Sequence, residues 1–265
     1  MSRTFDTSSP TPTSTDEAKI HYLFQLADNA LIMGQRLCEW TGVAPELEID
    51  LALCNIALDH LGQANAWYEY LVEIYPQPTD VDQLAFCRDE HQYYNITLVE
   101  LPNGDFAQTI AKMALFSIFN YYLHDALRQC SDARIAAIAA RSYKEIQYHR
   151  RYASNWLLRL GDGTDISHKR MQKALDIVWD HAFEAFTPSP ADRIMHQQGI
   201  APDLEQIKAL WEDEVHQLLH KATLSIPDTG FTGYRAKSDG VHTEHMGYLL
   251  AEMQYMQRRY PNLQW

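Results

Sequence analysis

The most regular apolar pattern in the chain lies between Pro45 and Tyr75. Leu47, Leu51, Cys54, Leu58, Leu61, Asn65, Tyr68, Val72 and Tyr75 recur at alternating steps of four and three, and only Asn65 breaks the stripe. That is the period of one helix face. A second stripe, Ile49, Leu53, Ile56, His60, Gln63, Trp67, Tyr70 and Ile74, runs beside it, shifted by two residues. A helix apolar on two sides has two sides to cover. The pattern predicts its own bundle on one side and a partner chain on the other.

The same periodicity predicts a first helix over Ala18–Trp40, closed by TGVAPE, and a third over Asp80–Leu101. The PNGD turn follows, with Asp105 as an N-cap residue for a fourth helix, Phe106–Cys130. This fourth helix is apolar nearly all round at MALFSIF (Met113–Phe119), so it is expected to be central. A fifth, Asp132–Leu160, ends at the glycines of GDGTD. Helices two to five are long and closely connected, which predicts an all-α antiparallel four-helix bundle with additional N- and C-terminal helices. Those at the C-terminus are a sixth helix capped by Ser167 and reaching Phe186, a short turn over Asp192–Gln198, and helices Leu204–Thr223 and His245–Tyr260. IPDTGFTGYRAKSDG, between the last two, is a candidate binding loop. No internal repeat or linker divides the chain. Residues 18–265 read as one helical domain behind a flexible tail, residues 1–17.

Composition supports the helical reading. The chain has 28 Leu and 28 Ala but only 7 Val, which favours helices over strands. Its 35 acidic and 22 basic residues give a formal charge of −13, which repels nucleic-acid phosphates and anionic membranes. No apolar run reaches the roughly 18 residues of a membrane span. The tail lacks the basic start and apolar stretch of a signal peptide. Cys38, Cys54, Cys87 and Cys130 form no CxxC pair, so they are expected to be reduced and buried, as in the cytoplasm.

A long-helix bundle raises the question of a two-metal centre. The ferritin-like cage takes one Glu from each of two helices and Glu-x-x-His from each of the others, because i and i+3 side chains share a face. No Glu in this chain has a His three residues later. The partial set is Asp59 with Gln63, Glu90 with Tyr94, His124 with Asp125, and Glu145 with His149. His149 is one position too far from Glu145, a rotation of about 100° around the helix. HTEH (His242–His245) reads as a cap or a polar network at the start of the last helix. Phosphate-cradling and nucleophile-elbow motifs are absent.

Several stretches carry a resemblance. RLCEWTGVAPELEIDLALCNIALDHLGQA (Arg36–Ala64), LAFCRDE (Leu84–Glu90), LPNGDFAQTIA (Leu101–Ala111), YKEIQYHRRYASNWLLRLGDGTD (Tyr143–Asp165), HTEHMGYLLAEMQYMQR (His242–Arg258) and the terminal Gln264-Trp265 resemble the C-subunit family of bacterial ring 1,2-phenylacetyl-CoA epoxidases. The likeness runs from about residue 18 to the end. It implies a ferritin-like, non-catalytic subunit of a multicomponent monooxygenase for phenylacetate breakdown. Its implied partners are a catalytic A subunit with a di-iron centre, a small B subunit, and a reductase carrying FAD and iron–sulfur. The chain itself would hold no cofactor, and a homodimer is the alternative when it is alone. Asp59, Glu90, Glu145 and His149 are then degenerate metal positions, expected as a buried polar network. Phenylacetyl-CoA near the A–C interface would make Gln92, Tyr93, Tyr94 and Asn95, with Arg193, Ile194 and Met195, candidate contacts. Arg193 is the natural phosphate partner among them. A free-standing di-metal oxidase or ferroxidase and an unrelated helical adaptor are the competing readings.

Overall fold

A computed structural model describes residues 11–260. Residues 1–10 of the expected tail and the terminal Gln264-Trp265 lie outside the described residues. Helix α1 (Thr15–Cys38) starts three residues before the expected Ala18. The Ser14 hydroxyl caps it by accepting from the Glu17 amide, and Asp16 and Glu17 face the positive end of the helix dipole. Helix α2 (Leu47–Ile74) follows after the TGVAPE turn and packs along α1.

The third predicted helix is not one helix. Between α2 and the PNGD turn the chain forms α3 (Val81–Phe86), a 3-10 turn over Glu90–Gln92, an extended stretch, and the single turn α4 (Thr97–Glu100). The bundle is therefore built from α1, α2, α5 (Phe106–Leu127) and α6 (Ala133–Gly161), and the 75–105 segment is its long crossover. The N-terminal helix, expected as an addition, is a bundle member. The reason is electrostatic. Asp28 on α1 is fully buried and accepts from the Tyr94 amide at 2.8 Å, and the Ile96 amide donates to Asn29 Oδ1 at 2.9 Å. Amides drawn to α1 side chains are no longer available for a helix of their own.

Helix α5 is buried nearly all round, as its sequence predicted, because α6 covers one side and α7 (Asp165–Ala182) another. The cap of α7 is Thr164, not Ser167. Ser167 sits at the third helical position and returns the bond in a capping box. A 3-10 turn, Phe183–Phe186, extends α7, and α8 (Pro190–Gln197) packs on α1. Helix α9 (Leu204–Lys221) contacts α5 and α6. Helices α10 (Ala236–Asp239), α11 (Glu244–Met253) and α12 (Tyr255–Arg259) close over the crossover, with the expected last helix interrupted at Gln254. Gly240 adopts φ +65°, and a Cβ there would lie 2.1 Å from the His91 carbonyl oxygen. Only glycine permits that approach. Among the described residues no helix is long and apolar enough to cross a membrane.

Candidate functional site

Among the polar clusters of this bundle, two bear on the predicted site residues and the crossover. The first lies at its centre. Asp59 on α2 accepts from His149 Nε2 on α6 at 2.9 Å, and Gln63 donates to the Glu145 carboxylate at 2.9 Å. These bonds link α2 to α6 one turn apart. The His60 ring lies 4.7 Å from that of His149 and 5.8 Å from Phe116. His124 on α5 donates from Nδ1 to the Asn120 carbonyl at 2.9 Å. Burial pushes His124 down to about 4, and burial next to His149 and His124 drives His60 well below its usual range. Both imidazoles are neutral at pH 7. His60 Nδ1, His124 Nε2 and His149 Nδ1 are buried without a hydrogen-bond partner among the described residues.

This set does not suit a di-metal cage. A void of about 10 Å³ touches Asn29, Gln63, Asn120 and His124, one polar side chain or more from each of α1, α2 and α5. It admits nothing larger than a water molecule. Asn29 and Asn120 present neutral amides where a cage for two divalent cations needs anionic oxygens. The two carboxylates nearby, Asp59 and Glu145, are both engaged with protein partners. Among the described residues no group of three or more His, Cys, Asp or Glu side chains is arranged to hold a metal ion.

Of the four predicted positions, Asp59 meets His149 and Glu145 meets Gln63 in two half-buried pairs between α2 and α6, and Glu90 stands apart. The broken third helix puts Glu90 on the exposed 3-10 turn, beside Gly247 of α11. There it lines an open cleft of about 500 Å³ with Tyr255, Arg258 and Arg259. Of the seven candidate CoA contacts only Arg193 is exposed. Gln92, Tyr93, Tyr94 and Asn95 are buried in the crossover, where they hold neighbouring segments. Tyr93 donates to the Ala85 carbonyl at 2.7 Å and Asn95 to Glu100 at 2.8 Å. Ile194 is half-buried and Met195 buried on α8.

The second cluster was not expected. Arg88, 1% exposed, pairs with Asp28 through both terminal guanidinium nitrogens and donates to the Leu84 carbonyl from Nε and to the Gln92 carbonyl. Tyr68 donates to the same carboxylate, and the guanidinium lies over the rings of Tyr93 at 4.0 Å and Phe24 at 4.5 Å. Further along, Glu100 accepts from His242 Nδ1 at 2.7 Å and from the Thr243 amide at 2.6 Å. Burial alone pulls His242 down, but its bond to Glu100 and that negative charge hold it above the usual range. HTEH therefore acts both as a cap, through Thr243, and as a network member, through His242. Glu184 accepts from the amides of Thr97 and Lys237 at 2.7 and 2.8 Å. The candidate binding loop is likewise anchored, since Asp180 takes the amides of Gly230 and Phe231 and Tyr234 stacks on His181. An RDE motif in a predicted helix gave no hint that Arg88 turns inward.

Two antiparallel helix pairs joined by one long crossover make this an all-α protein of the ferritin-like class. The match to known sequences is more specific. Residues 1–265 match the model of the phenylacetic acid catabolic protein family, and the chain belongs to that family. It is 46% identical over 245 residues to the C subunit of 1,2-phenylacetyl-CoA epoxidase from Escherichia coli, a match spanning 92% of this chain and 98% of that protein.

Proposed function

We propose that this chain is the structural, non-catalytic subunit of a multicomponent phenylacetyl-CoA 1,2-epoxidase acting in cytoplasmic phenylacetate breakdown. It supports a catalytic A subunit that holds the di-iron centre, alongside a small B subunit and a reductase with FAD and iron–sulfur. The observation that carries this reading is the donor set at the bundle centre: Asp59–His149 and Gln63–Glu145 satisfy each other across α2 and α6, and Asn29 and Asn120 supply amides instead of carboxylates. The 46% identity to a protein named as a subunit supports membership of an assembly. Arg193, the exposed member of the predicted CoA contacts, is the residue proposed to meet phosphate where phenylacetyl-CoA lies near the A–C interface.

Reconstitution tests the reading. Epoxidation of phenylacetyl-CoA by the A subunit with its reductase is expected to need this chain, and the purified chain is expected to carry no stoichiometric iron. Two irons per chain, lost in a Glu145→Ala/His149→Ala variant, would instead establish a di-metal oxidase. Equal epoxidation with and without the chain would remove the subunit assignment.

A further inference from the structure

The outer face of α2 is unlike any other bundle surface. Leu47, Leu51 and Leu58 are 70%, 56% and 63% exposed, and Val43 in the preceding turn is 68% exposed. The three leucines belong to the N-terminal half of the first apolar stripe read from the sequence, whose later member Tyr68 is buried. Tyr148, next to the His149 that bonds Asp59 of α2, is also open to water on the adjoining α6. Four large apolar side chains open to water along one helix and its leading turn, with an aromatic beside them, form a patch of the kind that marks an interface.

The charges around it say what kind. From Arg36 to Arg88 the chain has nine Asp or Glu residues between the two arginines and no Lys or Arg. On α2 and its cap the exposed carboxylates are Glu46, Glu48, Glu69 and Glu73, and among the described residues only Glu73 of these has a basic partner, Arg134 on α6. The apolar column is therefore edged by negative charge at both of its ends. Two copies meeting through α2 would set these carboxylates against each other, a juxtaposition that opposes association.

We propose that the α2 face, centred on Leu51 and Leu58, is the docking surface for the catalytic subunit, and that the subunit meets it with an apolar ridge edged by Lys and Arg. This rests on the subunit reading above. Apolar burial supplies the affinity and the acidic edge sets register and orientation, excluding a second copy of this chain.

The test measures binding of the full chain to the A subunit by sedimentation, with the Leu51→Glu/Leu58→Glu variant and a Tyr248→Ser control on α11, where Tyr248 is 77% exposed. The double variant is expected to melt like the wild type, since both leucines are already in water, yet to bind at least about 100-fold more weakly. The control is expected to bind normally. Raising salt from about 0.05 to about 0.5 M is expected to weaken the wild-type complex. A double variant that binds like the wild type overturns the docking face while leaving the subunit reading intact. Salt-independent binding overturns the basic edge assigned to the partner. A wild-type homodimer abolished by the double variant assigns the face to a second copy instead. If no complex with the A subunit forms at all, the subunit reading and the docking face fall together.

Discussion

The Arg88 cluster and the cluster at the bundle centre differ in how completely they are satisfied, and that difference decides which of them holds the fold. Around Arg88 every charge has its counterpart: Asp28 takes bonds from Arg88, Tyr68 and the Tyr94 amide, and the guanidinium is stacked between rings. At the bundle centre, by contrast, three imidazole nitrogens are buried without partners among the described residues. A satisfied network in a low-dielectric interior fixes one arrangement of the chain, here the broken crossover against α1. A half-satisfied one costs free energy and specifies little.

The sharpest way to break this comparison is Arg88→Met. It leaves Asp28 as an unpaired buried charge, so urea unfolding is expected to show a loss of about 3–5 kcal/mol. The double variant Asp28→Asn/Arg88→Met is expected to recover a good part of that loss. A single variant costing no more than a surface substitution would show that the pair does not hold the crossover.

Acid comes next in size. His124 is held near 4 in the folded chain against 6.5 for the free group, so below pH 6.5 the unfolded chain takes up the proton first. Stability is expected to fall between about pH 6.5 and pH 4 by up to about 3 kcal/mol from this residue, with His60 adding in the same direction. Denaturant titrations at a series of pH values check it, and a His124→Gln variant should flatten the slope.

His242 runs the opposite way. Its raised folded value means that its stabilisation is fully present below the unfolded value near 6.5 and is lost as pH climbs through the folded one. His242→Gln is expected to cost about 1–2 kcal/mol at pH 6 and less at pH 8. A cost that grew with pH would contradict the charged pairing with Glu100.

The smallest effect is expected at the centre. His60→Leu removes a neutral ring with an orphaned nitrogen and is expected to change stability by less than about 1 kcal/mol, in either direction. A loss as large as that of Arg88→Met would erase the contrast between the clusters.

Much of this molecule is determined by local sequence. Caps at Ser14, Asp105 and Asp132, together with the 3.6-residue stripes of α2 and α6, set four long helices. The lack of any Glu-x-x-His already argued against a di-metal cage, and the two apolar stripes of α2 already called for cover on two sides. Periodicity reports how a helix would be buried, so it reads these features directly. It misplaced the 80–101 segment, where QLAFCRDEHQYYNITLVEL has helical spacing and neither Pro nor Gly. What breaks that helix is Asp28, more than fifty residues earlier, whose buried carboxylate captures Arg88 and the Tyr94 amide. No local window contains both ends of such a bond. For the same reason Glu90 left the predicted network: its position depended on a helix that tertiary contacts dismantled. Composition and spacing decided the four long helices of the bundle. Long-range burial of a few polar groups decided that the 80–101 segment is a crossover and not a bundle helix.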